Sequence, residues 1–361
     1  MDRITKTQPG KILKMTALLL DWFGKNARDL PWRRTQDPYA VWISEIMLQQ
    51  TQVKTVIPYW NRWMQELPSI EAAAKVSSDK LHKLWEGLGY YTRVRNLQKA
   101  AQVIVEKHGG RFPDKFEEVL ALPGIGRYTA GAICSIAFNQ PTPLLDGNVM
   151  RVFARIFCIA EDPKDKETNA RLWKLAEELV ECAAKKSPPA CSHLNQSLME
   201  LGALICTPRN PQCTICPIRK LCVAFRENRV EELPNLGRRM AVTRRHFVAV
   251  AMEHDGRFLV RQRPAGVING HLWEFPNVEL LNGDDTNMAL KQFGVIPAQA
   301  RPLCVVKHSI TRYRITLTAL AANLKKESKV IEGTWKTPAQ MHSLAFTSAH
   351  KKILKALRAN E

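Results

Sequence analysis

No stretch of this 361-residue chain is apolar for long enough to span a bilayer; residues 17–20 are only a short patch inside an amphipathic segment. The N-terminus has no apolar core of a secretory signal, so a cytoplasmic protein with no membrane partner is expected. Acidic residues are scarce, 34 against 53 lysines and arginines, which leaves a formal net charge of +19. That imbalance favours a polyanion partner through release of condensed counterions. Ribosomal, tRNA-binding and membrane-surface proteins share it, so charge selects a class and no more. A paired cysteine framework is also missing: nine cysteines in a chain without a secretory signal argue against disulfides, and for a metal site wherever some of them cluster.

The length exceeds one typical core and implies two domains, and a hydrophobic content of 45% is that of a globular protein. The central stretch is Leu122-Pro123-Gly124-Ile125-Gly126-Arg127-Tyr128, followed by an apolar helix and then Leu145-Asp146-Gly147-Asn148-Val149. Glycine accepts the positive φ angles of tight turns, and the flanks 116–122 and 128–138 have helical apolar spacing. The pattern predicts helix, hairpin, helix, with unpaired N–H groups at the second helix start that suit a phosphate. No Gly-Lys-Ser/Thr follows, which excludes a nucleotide P-loop. Asp146 also reads as the N-cap of the next helix.

Further helices are expected at 11–26, with Ile12, Leu13, Leu19, Leu20 and Phe23 inside, and at 53–66, 79–88, 93–107, 115–121 and 170–184, while 193–205 leads into the cysteines. Asp37-Pro38 is a strong helix start, a side-chain cap followed by proline at the first position. The helix it opens carries Glu45 among Val41, Ile43, Ile46, Met47 and Leu48. A carboxylate in apolar company has a raised pKa and suits a general acid; a surface glutamate beside Gln49 and Gln52 is the other reading. Gly89-Tyr90-Tyr91-Thr92-Arg93 sets aromatics beside cations, as nucleic-acid wedges do and as ordinary core residues also do. Cys206, Cys213, Cys216 and Cys222 fall within 17 residues as C-x6-C-x2-C-x5-C. Such a cluster favours one metal centre, and spacing alone leaves zinc and a four-iron cluster both open. The isolated cysteines 134, 158, 182, 191 and 304 read as core thiols.

Together the hairpin, the aspartate after it and the cysteine loop resemble the helix-hairpin-helix DNA glycosylase superfamily, and Ser44-Glu45-Ile46-Met47-Leu48-Gln49-Gln50-Thr51 resembles its adenine-specific branch. The resemblance implies an all-α glycosylase domain at 1–225 with the hairpin at about 115–138, and a [4Fe–4S] cluster on the four cysteines at 206–222. It implies catalytic Glu45 and Asp146 supported by Tyr128 and Asn148. DNA contacts would come from Gly124, Gly126, Arg127, Gln50, Leu48, Tyr90, Trp32 and Arg33, and the basic cluster loop (Arg209, Arg219, Lys220) would face phosphates. Endonuclease III has a lysine where this chain has Tyr128. A phenol forms no imine, so strand cleavage through that residue is excluded.

After a polar linker at 226–242 the spacing turns to alternation, with Asp255-Gly256 as a hairpin turn, strands near 303–308 and 313–320 and a basic helix at 347–358. This α+β pattern over 243–361, with Leu272-Trp273-Glu274-Phe275-Pro276, resembles a Nudix domain. The stretch aligned with the Nudix magnesium motif, Asn287 to Gly294, lacks every acid of that motif, so pyrophosphate hydrolysis is not expected. The resemblance implies instead a reader of 8-oxoguanine opposite the target adenine, through His308, Ile310 and Thr311. The family pattern there is His-x-Phe-Ser-His, from which Ile310 and Arg312 depart. The expected protein is therefore a monomeric, monofunctional, nucleoid-associated bacterial enzyme that removes adenine opposite 8-oxoguanine or guanine in duplex DNA. A catalytically silent iron–sulfur damage sensor and a pyrimidine-lesion glycosylase of the endonuclease III type are the alternatives.

Overall fold

Asp37 begins the helix on which the main cleft is built: its carboxylate accepts from the Tyr39 N–H at 3.0 Å and Pro38 occupies the first turn. A computed structural model describes residues 9–237, 241–281, 285–327 and 331–359 of the chain. By contacts the chain divides into two units, Met1–Lys75 with Asn96–Arg239, and Val76–Arg95 with Met240–Glu361. The segment Val76–Arg95 thus groups with C-terminal residues, which the sequence boundaries at 225 and 243 do not anticipate.

The first unit is helical. The helices Pro9–Asn26, Gly147–Ile156, Lys166–Ala184 and Ala190–Leu204 enclose a core that includes Met15, Leu19, Val152, Phe153, Leu179 and Leu194. The helix Pro38–Leu48 is buried from Tyr39 to Met47 on every face, as its nearly unbroken apolar sequence requires. The expected helix at 53–66 is observed as Val53–Glu66. Several bounds shift by a turn or less, and a short helix at Ile70–Lys75 is additional. Leu13 corrects the expected inner face of the first helix: it is 55% exposed, and Met15 and Thr16 fill the core instead. Among the isolated cysteines Cys134 and Cys191 are buried, and Cys182 and Cys304 are half-buried and pack against the edges of the cores. Cys158 departs from the core-thiol reading: it is half-buried and hydrogen-bonds with Glu227 and Arg229.

The second unit is built on a seven-stranded mixed sheet: β1 (Thr243–His254), β2 (Arg257–Gln262), β3 (Trp273–Glu274), β4 (Asn277–Leu280), β5 (Ala300–Ile310), β6 (Tyr313–Asn323) and β7 (Thr334–Lys336). The order is β3-β2-β1-β6-β5, with β4 on β1 and β7 on β2. The β1–β2 hairpin turns at Asp255-Gly256, both at positive φ, as an Asp-Gly turn should. β1 and β6 pair in parallel from Thr243↔Tyr313 to Glu253↔Asn323. Successive β1 residues alternate faces: Ala249 and Ala251 face the helix Ser348–Ala359 core, while Val248, Val250 and Met252 face the core of the helix Thr286–Gln292. Helices on both faces explain why β1 is apolar without alternation from Phe247 to Met252.

Candidate active site

In the first unit, the turn after the first helix, the helix Pro38–Leu48, the hairpin and the starts of two later helices line one cleft of about 670 Å3. Glu45, Tyr128, Asp146, Asn148, Leu48, Gln50, Trp32, Arg33, Gly124 and Gly126 all border it. Glu45 is 5% exposed, which removes the surface reading. Burial raises its pKa to about 7; the Tyr128 hydroxyl, donating to Oε2 at 2.8 Å, opposes that rise, and the Asp146 charge adds to it. Burial and the charges of Glu45 and Asp146 in turn hold the phenol well above its ordinary value, so it stays a donor.

Asp146 caps the helix Gly147–Ile156: Oδ1 accepts from Val149 N–H at 2.7 Å and Oδ2 from Asn148 Nδ2 at 2.9 Å. Burial raises its pKa, and these donors oppose the rise. Cap and cleft residue are therefore the same side chain. The hairpin needs glycine at Gly124 (φ +76), where an added Cβ would sit 2.5 Å from Asn96 Cβ; Gly126 is the extended N-cap of the helix Arg127–Phe138.

Not all expected site residues gather here. Arg127 does not border the cleft; its guanidinium lies 3.9 Å over the Trp173 ring. Tyr90 belongs to the second unit, half exposed at φ +48. His308 and Ile310 line a separate cavity of about 130 Å3 in that unit with Arg245, Glu274 and Tyr313. Thr311 does not line it: it sits at φ +50 in the β5–β6 turn, and its hydroxyl donates to the Ile310 carbonyl at 2.7 Å.

The structure adds residues that pattern reading missed. Glu200, 1% exposed, borders the cleft and accepts from Arg28 at 2.8 and 2.6 Å and from Arg33 at 3.1 and 3.0 Å. Burial would raise its pKa, but the two guanidiniums overcome it and hold the group at about 2. Its sequence signal was available: like Glu45, it is a lone carboxylate in an apolar helical stretch. Arg151 was also missed. Its Nε donates to the Cys206 carbonyl at 2.7 Å and its Nη2 to Asn148 Oδ1 and the Gly202 carbonyl, each at 2.8 Å. It thereby ties the cysteine loop to the residue that holds Asp146.

Cys206, Cys213, Cys216 and Cys222 line one small cavity together with Arg155, whose buried guanidinium donates to Cys206 Sγ at 3.3 Å. Among the described residues, no three His, Cys, Asp or Glu side chains converge closely enough for a single metal ion. Four thiols lining one cavity fit a polynuclear cluster, with one thiolate per iron.

Comparison with known proteins agrees. Residues 43–178 match the model of the HhH-GPD superfamily base excision DNA repair protein, 206–222 the iron–sulfur binding domain of endonuclease III, and 247–356 the NUDIX domain. The cofactor of the cysteine loop is accordingly a [4Fe–4S] cluster. The adenine DNA glycosylase of Homo sapiens is 34% identical over 408 residues, covering 95% of this chain and 74% of that protein. That of Buchnera aphidicola from Schizaphis graminum is 31% identical over 360 residues, covering 96% and 99%. Among solved structures, a thermostable thymine-DNA glycosylase is similar at 28% identity and a TM-score of 0.54, over 62% of this chain and 100% of that one. A trapped endonuclease III–DNA covalent intermediate shares the fold at 22% identity and a TM-score of 0.51, over 62% and 99%. Among the described residues no helix is long and apolar enough to cross a membrane. The chain belongs to the adenine DNA glycosylase family, enzymes of base excision repair.

Proposed function

We propose that this enzyme hydrolyses the N-glycosidic bond of adenine paired with 8-oxoguanine or guanine, leaving the DNA strand intact. The observation that carries the chemistry is Glu45, buried, hydrogen-bonded to Tyr128 and near protonation balance at neutral pH in a cleft shared with Asp146. The adenine must leave the stack for its bond to be reached. Glu45 then gives its proton to the purine ring, and the bond between sugar C1′ and the base breaks with its electron pair moving to the base. The Asp146 carboxylate stabilises the cationic sugar. Glu45, now ionised, takes a proton from water as the oxygen adds to C1′, which returns the enzyme to its starting state. Tyr128 orients Glu45, and Asn148 orients Asp146.

Cys206, Cys213, Cys216 and Cys222 hold the iron–sulfur cluster, which when bound supplies a cross-link that orders the loop bearing Arg209, Arg219 and Lys220. That loop, Gly124, Gly126 and the helix start at Arg127 hold DNA phosphates. Gln50, Leu48, Trp32 and Arg33 contact the nucleotide at the cleft, Tyr90 wedges the duplex, and His308, Ile310 and Thr311 read the partner base. The net charge of +19 suits a monomer that associates with the nucleoid of a bacterial cytoplasm.

Single-turnover base release on duplexes with adenine opposite 8-oxoguanine, guanine and thymine, with and without alkali, tests the reading. Release fastest opposite 8-oxoguanine, and strands intact until alkali, is expected. Tight binding with no release from any duplex would overturn it in favour of a silent sensor, and strand scission without alkali would overturn the monofunctional assignment.

A further inference from the structure

The turn that carries the exposed Tyr90 is fastened to a part of the protein far away in sequence. Tyr90 stands on a tip of four residues, Gly87 to Tyr90, in which Gly87, Gly89 and Tyr90 have positive φ. The tip is braced from beneath. Arg93 lies 5.5 Å from the Tyr90 ring centroid and 5.4 Å from that of Trp85, and it donates to the Leu88 and Gly89 carbonyls at 3.1 Å each. Trp85 Nε1 donates to the Gly89 carbonyl at 3.1 Å. A half-exposed ring on so well fixed a base is suited to enter a base step without collapsing back onto the protein.

Glu86 opens this tip, and it is 7% exposed. Its Oε1 accepts from the Phe346 N–H at 3.0 Å, and its Oε2 from Lys351 Nζ at 2.7 Å, with Lys83 Nζ at 3.1 Å. Lys83 also donates to the Leu344 carbonyl at 2.9 Å, and Arg95 to the Gly270 carbonyl at 3.2 Å. His82 stacks on His271 with ring centroids 6.0 Å apart. Two backbone carbonyls, one backbone N–H, a lysine and an imidazole of the C-terminal residues thus engage a segment of only 20 residues, Val76–Arg95. Phe346, the residue whose N–H Glu86 receives, is fully buried in the core shared by the sheet and the last helix. The Glu86 carboxylate is thereby fixed to the segment that enters the last helix, Ser348–Ala359, and to that helix itself through Lys351.

We propose that Glu86 is a positioning residue that clasps the Tyr90 tip to the C-terminal sheet, so that the wedge and the reader of the partner base act on DNA as one body. This rests on the roles given above to Tyr90 and the C-terminal residues. Cutting the clasp lets the tip rock against the sheet. A loosened tip enters the base step less often and no longer in register with β5, so wedging weakens and discrimination falls more than the chemical step.

The test uses the full-length, cluster-loaded protein and two readouts. In the Glu45→Gln background, a duplex with 2-aminopurine at the step beside an adenine–guanine mispair reports wedging as a fluorescence rise. Tyr90→Ala should abolish the rise, and Glu86→Ala should remove most of it. In the active enzyme, Glu86→Ala should lower the ratio of release rates opposite 8-oxoguanine and guanine by about tenfold, and Glu86→Ala/Tyr90→Ala should be no worse than Tyr90→Ala alone, as for residues that act through one another. Lys351→Met, at a half-exposed position, should give a smaller loss in the same direction and serves if Glu86→Ala folds poorly. A full fluorescence rise in both Glu86→Ala and Lys351→Met, or additive losses in the double variant, overturns the clasp. So does a rise that survives Tyr90→Ala. Equal release opposite the two purines in the unaltered enzyme would instead overturn the reading of the partner base, and the fluorescence arm, which contains no 8-oxoguanine, would still decide the clasp.

Discussion

Tyr128→Phe separates the hydrogen bond on Glu45 from the packing of the ring. The hydroxyl donates to Glu45 Oε2 at 2.8 Å and so favours the carboxylate over the acid. A hydrogen bond to a charged group contributes about 1.5–3 kcal/mol, and one pKa unit corresponds to about 1.4 kcal/mol, so losing it should raise the Glu45 pKa by about one to two units. The ordinary position is already displaced to about 7 by burial. If Glu45 must be protonated to donate, base release falls about tenfold per pH unit above its pKa. The falling limb of the single-turnover rate, near pH 7 in the unaltered enzyme, should move to about pH 8–9 in Tyr128→Phe. The assay is the release rate of adenine from a mispaired duplex between pH 5 and 10, with alkali added only after quenching. A limb that stays in place or moves to lower pH refutes the account, as does a limb that persists in Glu45→Gln.

Glu45 also links cleft and stability: its folded pKa lies above its unfolded value of 4.5, so its contribution is fully present below pH 4.5 and is lost as pH rises through about 7. Glu45→Gln should therefore be more stable than the parent at pH 8 by about 3 kcal/mol and by little at pH 4.5, as read by denaturant unfolding; a constant difference across that window would contradict the burial argument. Arg151→Ala leaves the Asn148 Oδ1 and the carbonyls of Cys206 and Gly202 without their shared donor, and should destabilise by about 3 kcal/mol or more. It should also slow base release at least tenfold while the cluster absorbance is retained, because Asp146 loses the partner that Arg151 steadies; an unchanged rate would sever the link between loop and cleft. Gly124→Ala forces a side chain to φ +76 and against Asn96, and should weaken duplex binding and flatten its salt dependence, with retention of both as the contrary result.

Much of the cleft was legible because its residues obey local rules. Asp37-Pro38 sets the start of the Glu45 helix, Asp146 caps another, and Gly124 needs its turn; each can be read within a few residues. What escaped depends on partners far away in sequence. Glu200 meets Arg28 and Arg33 from 172 and 167 residues away, and no periodicity in either segment records that encounter. The expected burial of Leu13 failed because the inner stripe of its helix runs through Ile12, Met15, Thr16 and Leu19, and a side chain one position after Ile12 lies off that stripe. In the sheet, alternation placed the strands, but the parallel pairing of β1 with β6 depends on a crossover of about sixty residues that turn chemistry does not specify. The grouping of Val76–Arg95 with the C-terminal residues was equally invisible, since its helices carry no mark of which unit they face.

The paired guanidiniums around Glu200 give the cleft an electrical asymmetry. Two buried glutamates border the same space, yet one is pinned in its charged form down to about pH 2 while the other gains and loses a proton near pH 7. Of these two glutamates it is Glu45 that responds across the physiological range, and the charge it adds on ionising is negative. A stable cationic mimic of the reacting sugar would therefore be held more tightly as pH climbs through 7, in opposition to the catalytic rate. Inhibition and turnover would cross, and a blocker of this kind would serve best where the enzyme works worst.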